Sequence, residues 1–215
     1  MPFKNRAEAA RRLADRLSVW KGRNPLVLGV PRGGVLMAAP IADALGGDLD
    51  VILVRKLRAP GAPELALGAV TESGEVVFSD PRIPEWVDSE YLRAETEEAL
   101  RTIAERRALY TPHRPPVSPA GRIVIVVDDG IATGATMAAA LRALSGAGAA
   151  RRIVAAGVAP PDTAQELAGL ADELAILETP DDFAAVSQFY CEFPQVSDAE
   201  VVEVLRSRGV RAGAA

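Results

Sequence analysis

The chain has 215 residues, 49% of them hydrophobic and 25% charged, with a formal net charge of −5; this suits a single globular domain with a sizeable core. The acidic balance argues against extended nucleic acid as a partner, because tracking phosphates needs a basic stripe and pairs such as Arg151 and Arg152 are too small to make one. One cysteine, Cys191, and one histidine, His113, exclude an internal disulfide, a thiolate metal cluster and a multi-histidine zinc site, and both residues are read as passive.

The segment MPFKNRAEAARRLADRL carries charges every few residues, unlike a signal-peptide core, and no window approaches the roughly 18 apolar residues of a membrane span. A cytoplasmic protein without a membrane partner is expected. Asn5 followed by Glu8 predicts a helix start, with Ala9, Ala10, Leu13 and Leu17 as its apolar stripe. Residues 25–30 (PLVLGV) form a short continuous apolar run, the pattern of a strand buried on both faces, which stops in the turn Pro31-Arg32-Gly33-Gly34. Residues 35–45 have helical spacing, with Pro40 expected to kink the helix or mark its first turn.

Residues 50–57 (DVILVRKL) read as a second strand, 59–64 (APGAPE) as a turn-rich loop, and 69–78 as a hairpin turning at Ser73-Gly74. A long charged helix over 89–109, with Leu92, Leu100 and Ile103 as thin apolar contacts, leads into the proline-rich segment 111–119. That helix is read as a solvated or oligomer-forming surface, and residues 80–120 as a helical insertion. A third strand over 121–129, a helix over 135–145, a fourth strand over 153–159, a helix over 162–171 and a fifth strand over 174–177 complete the alternation. It predicts an α/β fold: an open, mainly parallel twisted sheet flanked by helices, with right-handed crossovers, in one domain over 1–215. Phe183, Phe189, Tyr190 and Phe193 fall in a small C-terminal subdomain over 180–210, ahead of a Gly/Ala tail from Gly209.

Ligands of such sheets sit beyond the carboxyl ends of the strands. There the first strand ends in GVPRGG, where Gly33 and Gly34 let amides approach an anion and Arg32 adds a fork of donors. The second ends in the cations Arg55 and Lys56. The third ends in Asp128 and Asp129, followed by Thr133, Gly134, Ala135 and Thr136 at a helix N-terminus. Unpaired amides, the positive end of the helix dipole and two hydroxyls make a phosphate site of that loop. Without the lysine of a P-loop it is not built for a nucleoside triphosphate. The carboxylates would repel a phosphate, but they suit vicinal hydroxyls, or Mg²⁺ and its waters. A phosphate close to a diol is a ribose 5-phosphate.

The run IVIVVDDGIATGAT over 123–136 resembles the phosphoribosyl-pyrophosphate (PRPP) signature of the type I phosphoribosyltransferases: a hydrophobic strand, two acids, then TG and a small or hydroxyl residue. The resemblance is close over this motif and looser over the order of elements from about 25 to 177. It implies that Asp128 and Asp129 bind the ribose hydroxyls, that residues 133–136 hold the 5-phosphate, and that Arg32, Gly33 and Gly34 hold pyrophosphate, with Arg55 and Lys56 as further PRPP-binding cations. Asp128, Asp129, Arg32 and Lys56 are the residues it implies as catalytic. It also implies a phosphoribosyltransferase using Mg²⁺ bound through PRPP, via Asp128 and Asp129, with a small-molecule nitrogenous acceptor, a homodimeric assembly, a hood after the fifth strand, and a strained or cis peptide near Pro31-Arg32. The 6-oxopurine members carry a carboxylate one residue before the TG; here that residue is Ala132, which argues against hypoxanthine and guanine. Residues 57–80 contain no lysine-rich or Ser-Tyr lid motif, leaving 59–67 or the charged helix as the covering element. A PRPP- or nucleotide-sensing regulator of the same fold is the alternative, and a phosphosugar hydrolase or synthetase a third reading.

Overall fold

The computed structural model describes residues 2–112 and 115–208, with the side chains of Pro63 and Glu64 excepted; His113 and the tail from Gly209 lie outside the described residues. In chain order the elements are α1 (Arg6–Arg16), β1 (Leu26–Gly29), α2 (Gly33–Leu45), β2 (Asp48–Val51), β3 (Val54–Ala59), β4 (Ala62–Thr71), β5 (Val76–Phe78), α3 (Ile83–Trp86) and α4 (Ser89–Tyr110). They continue with β6 (Ile123–Asp128), α5 (Ala135–Gly146), β7 (Arg151–Val158), α6 (Pro161–Ala168), β8 (Glu173–Glu178) and α7 (Asp198–Ser207). No helix among the described residues is long and apolar enough to cross a membrane.

The main sheet has five parallel strands in the order β2-β1-β6-β7-β8. Its central strands β1, β6 and β7 carry continuous apolar runs because both faces are covered. On one face Val27, Ile125, Val127 and Ile153 pack with Leu13 of α1 and Met37 and Ile41 of α2. On the other, Leu26, Leu28, Val124 and Val126 pack with Met137, Leu141 and Leu144 of α5. Helix α1 begins as expected: the Asn5 side chain accepts from the Glu8 N–H at 3.2 Å, and the Glu8 carboxylate accepts from the Lys4 N–H at 2.7 Å.

Several sequence expectations are corrected. The run DVILVRKL is two strands in two sheets: β2 is buried along its length in the parallel sheet, whereas β3 alternates in burial and pairs antiparallel with β4. Charged residues at 55, 56 and 58 cannot continue between two packed layers, so the chain leaves the first sheet there and forms an edge with one solvated face. Arg55 and Lys56 therefore open a strand of the second sheet and do not end a strand of the first. The stretch read as a loop over 59–64 is a tight turn at Gly61 (φ +72°) between β3 and β4, and the expected hairpin at Ser73-Gly74 is extended by it into a three-stranded sheet, β3-β4-β5. Helix α2 starts two residues earlier than its apolar spacing suggests, and Pro40 lies in its interior, not in its first turn. Helix α7, which buries Val201 and Leu205, was not anticipated.

One buried polar clamp joins the two sheets. Arg107 of α4 donates to Asp50 of β2 at 2.8 Å, to both oxygens of Glu72 at 2.7 and 2.6 Å, and to the Val51 carbonyl at 3.2 Å. Asp50 is only 1% exposed, so its charge needs these donors.

Candidate functional site

Strands β1 and β6 are neighbours with Gly29 opposite Val127, so the loops that leave their carboxyl ends emerge side by side. The Val30 N–H extends the ladder to the Val127 carbonyl at 2.9 Å. The peptide between Pro31 and Arg32 is cis, and Arg32 caps α2, whose first two residues are Gly33 and Gly34. A Cβ on Gly33 would meet the Asp129 carboxylate, and one on Gly34 the Val127 carbonyl. The two glycines therefore let the start of α2 press against the end of β6.

The acids there are not free strand-end charges. The Asp129 N–H donates to Asp128 Oδ1 at 2.8 Å, tying the Asp128 carboxyl to the backbone of its neighbour. Burial holds the Asp128 carboxyl well above the usual carboxylate range, and the neighbouring Asp129 charge pushes it the same way. Asp129 is held by Arg6 of α1, whose Nε donates to Oδ2 at 2.7 Å; the two side chains are only 12% and 14% exposed. The Tyr190 hydroxyl donates to the Asp129 backbone carbonyl at 2.6 Å, and burial, then the Asp129 charge, raise its pKa.

After the acids, Gly134 turns the chain with φ +71° and α5 begins at Ala135. Thr163 of α6 braces this loop, donating to the Ala132 carbonyl at 2.9 Å. Helices α1, α4 and α7 are capped by the side chains of Asn5, Asp88 and Ser197. By contrast, α2 and α5 begin without a side-chain cap and with no acid in the first turn. The two helices that start at the carboxyl edge beside the acid pair thus present amide donors and a positive dipole end to an incoming anion.

The expected site residues fall into two groups joined by the loop 128–136. Arg32, Gly33 and Gly34 adjoin Asp128 and Asp129 across the β1 and β6 ends. Lys56 lines a cavity of about 460 Å³ with Thr133, Gly134 and Ala135, and Arg55 and Lys56 line a second, of about 310 Å³, with Thr136. Asp128, Asp129 and Arg32 line neither. The Arg32 charge reaches Tyr110, whose pKa is pushed up to about 12 by burial and by its 2.5 Å hydrogen bond to Asp198, with Arg32 opposing the rise. Among the described residues no group of three or more His, Cys, Asp or Glu could hold a metal.

Arg6, Thr163 and the Tyr190 hydroxyl are contributors that the sequence did not single out. Arg6 carried one signal: a cation in the first turn of a helix opposes the dipole, so a partner elsewhere is expected. Of the aromatic group, Tyr190 and Phe193 stack at 4.7 Å and Tyr190 meets Phe3 at 5.2 Å, as core; Phe183 and Phe189 stack at 5.6 Å. Cys191 is exposed.

The chain matches the family described as Phosphoribosyl transferase domain over residues 3–194. Two Mycobacterium tuberculosis proteins, from strains CDC 1551 / Oshkosh and H37Rv, each named "Putative phosphoribosyl transferase", are 41% identical over 204 residues, covering 94% of this chain and 46% of each relative. The chain thus spans about half the length of the curated relatives it matches. The crystal structure of TT1426 from Thermus thermophilus is 43% identical and superposes with a TM-score of 0.88 over 97% of this chain and 99% of that one. The acid pair, the uncapped helix starts and the parallel sheet that carries them are accordingly features of a chain that belongs to the phosphoribosyl transferase domain family.

Proposed function

We propose that the chain transfers 5-phosphoribose from PRPP to a nitrogenous base or related acceptor, with release of pyrophosphate. The observation that carries this reading is the loop 128–136, in which two adjoining carboxylates are followed by an uncapped helix start. One end of that loop suits a diol and the other a phosphate, the two groups that a ribose 5-phosphate carries. Asp128 and Asp129 take the ribose hydroxyls. The amides of Gly134, Ala135 and Thr136, with the Thr133 and Thr136 hydroxyls, take the 5-phosphate. Arg32 and the amides of Gly33 and Gly34 take pyrophosphate, and Lys56 and Arg55, which line cavities with residues 133–136, serve as additional cations.

The chemistry follows from where charge develops. As the bond from C1 to pyrophosphate breaks, positive charge grows on the sugar beside the acid pair, and negative charge grows on the leaving group beside Arg32 and the start of α2. The chain's own donor set fits Mg²⁺ held mainly by substrate phosphates, with Asp128 and Asp129 as its carboxylates, and not a caged metal. Bound there, the ion would neutralise leaving-group charge. Ala132 leaves no carboxylate to pair with a 6-oxopurine ring nitrogen, so hypoxanthine and guanine are not the expected acceptors.

The test is pyrophosphate release from PRPP and Mg²⁺ across a panel of bases and amines, with PRPP affinity measured by calorimetry alongside. Release with at least one acceptor, lost in Asp128→Asn with Asp129→Asn, is the expected result. PRPP binding with no release would replace the transferase by a PRPP sensor. Binding unchanged in the double variant would remove the assignment of the site altogether.

A further inference from the structure

The geometry points to Arg6 as a positioning residue for the acid pair: it clamps the Asp129 carboxylate against the Gly33 backbone and so fixes which oxygens are offered to a vicinal diol. This rests on the reading of Asp128 and Asp129 as the diol site. Its consequence is a substrate preference, for a pentose 5-phosphate that keeps its 2-hydroxyl over the 2-deoxy sugar.

Three contacts hold the Arg6 guanidinium. Nε donates to Asp129 Oδ2 at 2.7 Å, Nη1 donates to the Pro194 carbonyl at 2.8 Å, and the group lies 3.8 Å from the centre of the Phe193 ring. The helix start is an unfavourable place for a cation, so the position is maintained by these partners and not by α1. A planar fork stacked on a ring and bonded on two edges has little rotational freedom left, which a lysine could not match. Asp129 Oδ2 is thereby enclosed between Arg6 and the Cα of Gly33, where no side chain fits.

The hydrogen-bond count then matters. Asp129 Oδ2 is engaged by Arg6, and Asp128 Oδ1 is engaged by the Asp129 N–H. The Arg6 contact therefore leaves Asp129 Oδ1 as the oxygen turned away from the guanidinium, beside the Asp128 carboxyl, to meet a ligand hydroxyl. If Asp129 could rotate, it would present either oxygen, and the geometric match to the second hydroxyl would be lost.

The experiment measures ribose 5-phosphate and 2-deoxyribose 5-phosphate binding by calorimetry, together with thermal melting, in the intact chain and in Arg6→Gln, Arg6→Lys and Phe193→Leu. The intact chain should favour the ribose form by about tenfold, the worth of one hydrogen bond to a charged group. Arg6→Gln should remove most of that preference while leaving 2-deoxyribose 5-phosphate affinity within about twofold, because the phosphate loop is untouched. Arg6→Lys should restore part of it. Should Arg6→Gln fail to fold, Phe193→Leu decides the matter: it frees the guanidinium without removing its charge and should lower the preference in the same direction. A lower melting temperature with the preference intact would make Arg6 a tether of the C-terminal segment and overturn the inference. No preference in the intact chain would instead overturn the diol reading of the acid pair, and the inference with it.

Discussion

The backbone N–H of Asp129 donates to Oδ1 of Asp128 at 2.8 Å, so the Asp128 carboxyl is turned back onto the backbone of the next acid where β6 ends. Burial and the Asp129 charge raise the Asp128 pKa in the folded chain above its unfolded value. The native state therefore binds this proton more tightly than the unfolded state, and stability falls as pH rises from the ordinary carboxylate range through the raised value. Asp128→Asn removes that penalty. It should melt higher than the natural chain at about pH 7, with the advantage fading below about pH 4, as Asp128 becomes protonated in the unfolded state as well as the folded one. The same variant should weaken PRPP binding about tenfold or more. A variant that melts lower at neutral pH would contradict this.

Gly33→Ala tests how closely the start of α2 and the acid pair are fitted. The added methyl would meet the Asp129 carboxylate and crowd the Arg6 side chain 3.0 Å away. Either α2 retreats or Asp129 rotates off Arg6. A stability loss of about 1–3 kcal/mol from overpacking is expected, with PRPP affinity falling alongside. Urea denaturation and calorimetry on the same preparation measure both, and full affinity would separate Asp129 from the site.

Much of this arrangement is legible in the sequence, and the reasons are local. The strands β1, β6 and β7 announce themselves because burial on both faces demands unbroken apolar runs, and the run IVIVVDDGIATGAT places its acids and its helix start by chain connectivity alone. The run DVILVRKL misleads because periodicity cannot register that a chain changes sheets at Ile52 and Leu53 when both halves are β-prone. Helix α7 carries a local signal as well, since Ser197 and Glu200 form a capping box at its start. Arg6 lies 123 residues from Asp129 in sequence, and no spacing rule reaches that far. The Tyr190 hydroxyl and Thr163 are likewise set by tertiary packing.

Lys56→Ala should separate the two cations of β3. Lys56 lines both cavities beside residues 133–136, whereas Arg55 lines only one and also feels Glu95 of α4. Loss of an exposed cation near a polyanion weakens binding by a salt-dependent amount. PRPP affinity is expected to fall about five- to tenfold in Lys56→Ala at low salt, by less at high salt, and by less in Arg55→Ala. Calorimetry at two ionic strengths distinguishes these, and equal losses in both variants would mean that position on β3 does not matter.

The Arg107 clamp should govern stability and leave the loop 128–136 alone. Arg107 reaches Asp50 at 2.8 Å, Glu72 at 2.7 and 2.6 Å and the Val51 carbonyl at 3.2 Å. Removing one partner of a buried ion pair leaves an uncompensated charge, which costs about 3–5 kcal/mol. Asp50 also accepts from the Val51 and Val117 N–H groups at 2.8 and 2.9 Å, so Arg107→Met is expected near the lower end of that range. Asp50→Asn combined with Arg107→Met should be less destabilised than the sum of the single variants, since the second change removes the charge that the first strands. Urea denaturation of the four chains closes the cycle, and strict additivity would mean that Arg107 acts through Glu72 alone. Ribose 5-phosphate affinity, measured where all four remain folded, should change by less than about twofold, because no atom of the clamp belongs to the loop 128–136.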